Sequence, residues 1–333
     1  MNTTSTTPQL SVLIPVYNSE DTIELLVNQL QIELVEYNFE IVLVNDSSKD
    51  QSEKICIGLA ATYSNIRFIS LRKNAGEHNA VLCALKHCRG DYAAIIDDDL
   101  QNPPSEIIKL LNKAINGKYD VVYARYQNKK HNIFRNMASK LHNYMATHLL
   151  GKPDKLYLCS FKLISKEIIP EIASYKGPYP YLDALILKCT DNIGTELVIH
   201  KSREQGKSNY TLKKLIALYL NTVINYSTKP LRFVTTAGFI ISMAAAVMAV
   251  VIIYERAVNQ NIPIGWSFTA VLLLFMLGLT FSAIGLMGEY IGKILMSLNN
   301  TPQYVVKRSY SNQDIENEEP YIEAYNDRQS IRV

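Results

Sequence analysis

Ile95-Ile96-Asp97-Asp98-Asp99-Leu100-Gln101-Asn102-Pro103-Pro104-Ser105 decides the fold. An apolar run from Tyr92 to Ile96 stops abruptly at three carboxylates. Short apolar runs bounded by turn signals read as buried strands. Pro103 and Pro104 end the extended chain, and a helix can start at Pro104 because proline suits a first helical turn. The carboxylates therefore stand just past the C-terminal end of a strand, where open α/β sheets bind their ligands. Three adjacent acids repel one another, and a hard divalent cation carrying a diphosphate gives them a reason to be there. A turn cap explains one or two such acids but not three followed by Leu-Gln-Asn-Pro-Pro. A calcium loop is a poor fit, because the glycine and the distal glutamate of that spacing are absent.

Upstream of this stretch, strands and helices alternate. Leu10–Pro15 reads as a buried strand ending in Val16-Tyr17-Asn18, and the helix expected at about 21–37 puts Ile23, Leu26, Leu30 and Leu34 on one face. Glu40–Val44 is a second strand closed by Asn45-Asp46-Ser47-Ser48, with a helix over about 51–63. Ile66–Leu71 is a third, followed by Arg72-Lys73-Asn74-Ala75-Gly76 and a helix to Cys88. This alternation predicts a mainly parallel, doubly wound sheet. Its strand ends would line one crevice. With no Gly-x-Gly-x-x-Gly and no Walker lysine, a nucleotide would be held by side chains such as Asp46. Asp46 read alone is a turn-former; read beside the other strand ends it is a ligand.

Downstream, Asp120–Ala124 is a further strand ending at Arg125, then a polar stretch to His131, and Arg135 opens an amphipathic helix to Leu150. Leu156–Ile164 reads as extended, and Glu196–His200 as a last strand.

The 333 residues suffice for one large domain or two smaller ones, and a net charge of +3 does not suggest nucleic acid. Charge is unevenly spread: His200–Arg232 holds seven Lys/Arg against one acid, and the tail from Asn312 holds six acids against two arginines. Five cysteines without Cys-x-x-Cys fit buried thiols in a reducing compartment, not a zinc site or disulfide scaffold. The polar stretch Asn2–Thr7 lacks an apolar signal core, so no cleaved leader is expected.

Phe233–Tyr254 and Trp266–Met287 carry no charge, and each has about the 20 residues a bilayer-crossing helix needs. Two transmembrane helices are therefore expected. Lys/Arg cluster before the first and recur after the second, placing both ends of the protein in the cytoplasm. Leu212–Ser227 is an amphipathic helix that either lies in the membrane interface or packs as an ordinary helix. The resulting organisation is a catalytic domain over 1–210, an interfacial helix over 211–232, spans over 233–254 and 266–287, and a cytoplasmic segment over 288–333 with a disordered acidic tail from about 309.

Several motifs in order resemble the glycosyltransferase family 2 enzymes that charge a polyprenyl phosphate with one sugar. They are Ser11-Val12-Leu13-Ile14-Pro15-Val16-Tyr17-Asn18, Asn45-Asp46-Ser47-Ser48-Lys49-Asp50, Asn74-Ala75-Gly76-Glu77-His78-Asn79-Ala80, Asp97 to Pro104, Arg203-Glu204-Gln205-Gly206-Lys207-Ser208 and Gly288-Glu289-Tyr290-Ile291-Gly292-Lys293. The likeness runs from about Leu10 to Val306. It implies a GT-A fold, a nucleotide-sugar donor (UDP the favoured base), Mg²⁺ or Mn²⁺, a polyprenyl phosphate acceptor (undecaprenyl or dolichyl) and an inner or plasma membrane location. It also implies a homo-oligomer, a tetramer. By position it implies nucleotide-sugar contacts at Pro15, Tyr17, Glu20, Asp46, Gly76, Asn79, Asp97 and Lys207, and a metal at Asp97, Asp99 and Gln101. Asp98 stands within the catalytic acid run, where the family often has alanine. Arg125, Arg135 and Arg203, with Lys207, match basic positions that hold the acceptor phosphate or the donor diphosphate. The family often has Gly-Asp-Phe-Arg where this chain has Cys159-Ser160-Phe161-Lys162, so a base assigned from that aspartate has no counterpart at Ser160.

The implied chemistry is a single inverting displacement by the lipid phosphate. Rival readings are a processive polysaccharide synthase and an inactive membrane scaffold. The first expects Gln-x-x-Arg-Trp, whereas the one tryptophan is Trp266, at a span boundary. The intact Asp97–Gln101 run speaks against the second. Two spans without internal charge form no transport pathway.

Overall fold

The computed structural model describes residues 8–126, 153, 156–177, 180–201, 229–258, 266–299 and 302–311. The sheet begins with β1 (Leu10–Val16) and β2 (Phe39–Asn45), whose side chains are almost all buried, as expected of strands covered on both faces. β3 (Ile66–Leu71) and β4 (Tyr92–Ile95) complete a parallel core in which β1 pairs with β2 and β4, and β2 with β3. The eight strands run in the order β7-β5-β6-β4-β1-β2-β3-β8. β5 (Val121–Tyr126) and β7 (Ile193–Val198) pair parallel, while β6 (Lys162–Ser165) runs antiparallel to both β4 and β5.

The helices α1 (Ile23–Glu33), α2 (Ser52–Thr62) and α4 (Ser105–Gly117) close one apolar core with Leu10, Val12, Ile14 and Val16 of β1. The alternate positions, such as Leu13, lie outside that core, and α3 (Glu77–His87) packs on β1 and β2. This follows from strand periodicity, successive residues facing opposite sides. Two shorter helices, α5 (Ile169–Ala173) and α6 (Leu182–Cys189), follow β6. Strand order turns back between β1 and β4, so the crevice outside their C-terminal ends is the switch point where such sheets take ligands.

The first four strands fall where the sequence places them. β6 and β7 are displaced from expectation: β6 is confined to Lys162–Ser165, and β7 starts three residues earlier than the predicted 196. β8 (Val306–Ser311) was not expected at all. It pairs antiparallel with β3 at the sheet edge, with Tyr310 stacked on Phe68 at 6.3 Å between ring centroids. Ser309–Ser311, assigned from sequence to the acidic tail, belong to this strand, because β3 would otherwise expose an unpaired edge.

The strands and helices through Lys201, with 302–311, form one compact unit. The other contains α7 (Lys229–Val258) and α8 (Trp266–Leu298), which touch each other. Residues 229–232, expected in a separate interfacial helix, are the start of α7; the rest of that helix, 211–228, lies outside the described residues. At about 1.5 Å per residue, the 30 and 33 residues of α7 and α8 make each longer than a bilayer core. Among the described residues one stretch, Phe275–Leu298 in α8, is both long and apolar enough to cross a membrane. It starts and ends later than the expected span 266–287. The expected span 233–254 lies within α7 but does not meet that criterion among the described residues.

Candidate active site

Four loops meet at the C-terminal edge of β1 to β4. The β1 and β2 loops are joined by side chain to backbone bonds in both directions. Asn18 N–H donates to Ser48 Oγ at 3.0 Å, and Lys49 N–H to Asn18 Oδ1 at 2.8 Å. Ser19 N–H donates to Ser52 Oγ at 2.8 Å, Gln51 N–H to Glu20 Oε2 at 2.8 Å, and Glu20 N–H to Asp50 Oδ2 at 3.1 Å. Asn18, Ser47 and Leu100 all hold positive φ, 53°, 58° and 60°. Such backbone is uncommon outside glycine and collects at ligand sites.

Asp46, buried behind β2, accepts from Ala75 N–H at 2.6 Å and Gly76 N–H at 2.8 Å. It therefore ties the β2 loop to the start of α3, where Gly76 takes φ 89° as the residue before the helix. Burial raises the Asp46 pKa, and the two N–H groups oppose that rise. A carboxylate has about four acceptor sites, so two remain for a ligand N–H. Asn79 donates to Ala75 O at 2.7 Å, and its Oδ1 is buried without a hydrogen-bond partner among the described residues.

The acid run separates by partner. Asp97 is half-buried, accepts from the Ser160 hydroxyl, and has its pKa pushed up to about 7 by burial and then by Glu77. Asp98 turns towards β1: its Oδ2 accepts from Tyr17 N–H at 3.2 Å and from the Ser19 hydroxyl. Burial lifts Asp98 to about 6 against those two donors. Asp99 Oδ1 accepts from Gln101 N–H at 3.2 Å. Gln101 braces the chain after β7, its carbonyl accepting from Lys201 N–H at 2.8 Å and its amide donating to Lys201 O at 3.4 Å.

Glu77 was not among the sequence candidates. It opens α3, remains solvent-accessible and is raised by loss of hydration, with Asp183, Asp98 and Asp99 adding to the rise and Lys162 opposing it. Its place in the motif with Gly76 and Asn79 was the signal. Lys162 of β6 is buried and paired with Asp183 of α6, which also accepts from Tyr123 Oη at 2.8 Å. His78 stacks edge-on against Tyr181 at 5.3 Å and is depressed to about 4 by burial.

Pro15 and exposed Tyr17 stand at the end of β1, and Glu20 in the loop beyond it. Arg125 is exposed near the end of β5 and makes no ion pair among the described residues. Arg135, Arg203 and Lys207 lie outside the described residues. No group of three His, Cys, Asp or Glu side chains that could enclose a metal occurs among the described residues. Asp97 and Asp99 instead fit the open kind of Mg²⁺ or Mn²⁺ site, in which one or two carboxylates share the ion with substrate phosphates. Their setting fits too: after burial, Glu77 raises the Asp97 pKa, while Asp98 and Asp99 add to the rise at Glu77, so negative charge is concentrated where a cation would offset it.

A family model, Glycosyl transferase family 2, matches residues 11–173, which include β1 from its second residue, β2 to β6 and the whole acid run. Curated relatives match far beyond it. The undecaprenyl-phosphate 4-deoxy-4-formamido-L-arabinose transferase of Photorhabdus laumondii is 32% identical over 322 residues, 94% of this chain and 98% of that protein. Its counterpart in Proteus mirabilis is 33% identical over 92% of this chain and 96% of that protein. The chain belongs to glycosyl transferase family 2. Among solved structures, the Mycobacterium tuberculosis glucosyl-3-phosphoglycerate synthase with Mn²⁺, UDP-glucose and phosphoglyceric acid superposes with TM-score 0.50 at 20% identity, covering 67% of this chain and 79% of that one. At that identity the likeness concerns the fold, and it is of the GT-A kind expected for family 2. Two departures from the expected family pattern acquire a structural meaning here. Ser160 hydrogen-bonds Asp97, and Lys162 is neutralised within the protein by Asp183.

Proposed function

We propose that this family 2 enzyme moves one sugar from a nucleotide-sugar, a UDP-sugar by preference, to a polyprenyl phosphate. The observation that carries this is the reach of the relatives. Their likeness covers 94% of the chain and so continues past the matched domain into α7 and α8. Domain and helices are thus matched together, as a lipid-phosphate acceptor requires.

The chemistry is a single inverting displacement. An acceptor phosphate oxygen attacks the anomeric carbon, that carbon's bond to the diphosphate oxygen breaks, and the nucleoside diphosphate leaves with the bonding pair. A phosphate monoester has its second pKa near ~6 and is already largely ionised at neutral pH, so the serine at 160 in place of an aspartate takes no base away that the step needs. Asp46 accepts a base N–H of the donor, with Tyr17 and Pro15 beside it, while Glu20, Gly76 and Asn79 hold the loops around the nucleotide. Asp97 and Asp99, with Gln101 alongside, would hold a divalent cation, which would supply charge compensation for a diphosphate leaving group. Arg125, Arg135, Arg203 and Lys207 serve the phosphates of donor and acceptor, a task suited to guanidinium groups that donate in pairs and stay charged.

In this reading residues 1–210, with β8 added to their sheet, form the cytoplasmic catalytic domain, 211–228 lie at the membrane surface, and α7 and α8 provide two spans in the inner or plasma membrane. The acceptor then meets the crevice confined to two dimensions.

The test is a donor screen on detergent-purified protein with Mn²⁺ or Mg²⁺ and undecaprenyl phosphate. UDP-, GDP- and dTDP-sugars are offered and nucleoside diphosphate release is followed. Lipid-dependent release from one donor is the expected result and names the sugar. Release that ignores the lipid assigns another acceptor or hydrolysis. Absence of nucleotide binding with either metal returns the protein to the scaffold reading.

A further inference from the structure

The edge strand β8 is joined to the nucleotide loop through an unbroken series of side chains. Glu53, in the first turn of α2, is its hub. Glu53 Oε1 receives Lys307 Nζ at 3.2 Å and Arg308 Nη2 at 3.1 Å, both from β8. The same oxygen accepts from Ser70 Oγ of β3 at 2.9 Å. Ser70 Oγ in turn accepts from Asn45 Nδ2 of β2 at 3.1 Å, and Asn45 Oδ1 accepts from Ser48 N–H at 3.2 Å. Ser48 Oγ holds Asn18 N–H of the β1 loop. Asn45 and Ser70 are fully buried, so neither has water as an alternative partner. Burial pushes the Glu53 pKa up, but Ser70, Lys307 and Arg308 outweigh it and hold the carboxyl below its ordinary range, as a charge placed among donors requires.

We propose that Glu53 is a positioning residue through which the C-terminal strand β8 sets the loop Asp46–Ser48, and hence the enzyme's affinity for its nucleotide-sugar. The functional half of this rests on the reading of Asp46 as a nucleotide contact; the mechanical half does not. β8 follows α8 in the chain with only residues 299–305 between them, so the segment that returns from the apolar helices completes the donor site. The positive φ of Ser47 explains why the loop needs holding. Without the Asn45–Ser48 bond, a serine in that conformation relaxes to the ordinary region.

Two measurements test this on the full-length protein in detergent. Hydrogen exchange by mass spectrometry, with no ligand present, compares Glu53→Ala, Glu53→Gln and Lys307→Ala/Arg308→Ala with the parent. Exchange of peptides covering 45–49 is expected to rise about tenfold in Glu53→Ala and in the double variant, to rise less in Glu53→Gln, which keeps an acceptor for Ser70, and to stay unchanged over 92–96. Steady-state kinetics on the accepted donor is expected to show KM raised about tenfold in Glu53→Ala with kcat within twofold. Unchanged exchange at 45–49 while 306–311 opens overturns the coupling. Faster exchange with an unaltered donor KM overturns the positioning role. Failure of the parent to accept any donor refutes the proposed function alone, since the exchange comparison still decides whether β8 controls the loop.

Discussion

Asp98 parts from Asp97 and Asp99 by what it touches. The three acids are identical in the sequence, and nothing in their spacing tells that one faces the loop after β1, where it collects Ser19, 79 positions away, and Tyr17, 81 positions away. The sequence groups it with Asp97 and Asp99; the side-chain direction that sets it apart exists only once β1 and β4 are neighbours. Asp99→Ala should lower turnover by a hundredfold or more, about 3 kcal/mol of barrier, with circular dichroism and melting close to the parent. Asp98→Ala should raise the donor KM about tenfold, the order of one charged hydrogen bond, and Asp98→Asn should recover most of it by keeping an acceptor for Tyr17 and Ser19. Equal loss of kcat in both Asp98 variants would return Asp98 to the reacting group. His78 supplies a pH test. Its ordinary pKa of 6.5 falls to about 4 on folding, chiefly through burial. The unfolded chain then binds a proton between these values that the folded chain refuses. This contribution is whole above pH 6.5 and drains away as pH falls toward 4, about 2 kcal/mol of it by pH 5. Urea unfolding at pH 7 and pH 5 should therefore show a smaller acid loss in His78→Gln than in the parent. Equal losses would place the acid sensitivity at other groups.

Elements that carry an apolar period were legible: β3 is the predicted Ile66–Leu71, and β4 stops one residue short of Ile96. β8 was not, because Val-Lys-Arg-Ser-Tyr-Ser is polar apart from Val306 and Tyr310 and carries no apolar alternation, and its partner Phe68 lies more than two hundred residues back in the chain. β6 was only half visible, since Lys162 looks like a surface residue until Asp183 and Tyr123 surround it. That pair joins β6, β5 and α6, and breaking it should be expensive. Asp183→Ala strands a buried ammonium and should destabilise by about 3–5 kcal/mol, whereas Lys162→Met/Asp183→Leu together should cost far less. Chemical denaturation of the three proteins measures the difference, and additive losses would show that the two charges do not depend on each other. The opposite end of the sheet offers a steric test. Gly90 precedes β4, its N–H donates to Ser11 Oγ at 2.8 Å, and Ser11 Oγ in turn donates to buried Glu40 at 2.6 Å. A Cβ there would lie 2.6 Å from Ser11 N and 2.8 Å from Leu10 C, backbone atoms that cannot step aside. Gly90→Ala should thus lose about 1–3 kcal/mol by overcrowding, and a melting temperature equal to the parent's would contradict this packing.

At the scale of the whole molecule, the pairing of β8 with β3 constrains the membrane arrangement more tightly than hydropathy does. After the strands of the sheet the chain runs through α7 and α8, and it rejoins that same sheet at Val306. A bilayer cannot pass between hydrogen-bonded strands, whose backbone groups must be satisfied within the sheet. Any membrane crossings between those points are therefore even in number. Among the described residues Phe275–Leu298 alone is long and apolar enough by composition, yet a single crossing would put β8 and β3 on opposite sides. The proposed pair of spans, α7 crossing with α8, meets that condition. The exposed Phe239, Ile240, Val247 and Val250 of α7 give it an apolar surface to set against lipid. The segment 259–265 would then face the far side. Single cysteines placed in a cysteine-free background at 262, at 3 and at 329 test this with a membrane-impermeant maleimide on intact cells. Labelling at 262 alone is the outcome the proposed arrangement predicts, because its two crossings put positions 3 and 329 on the cytoplasmic side. Labelling at 329 but not at 3 would mean one crossing, and it would require β8 to leave the sheet. Protection at all three positions would leave zero crossings, with α7 and α8 lying along the inner surface, and the positive residues Lys229 and Arg232 would then act as surface anchors rather than as the flank of a span.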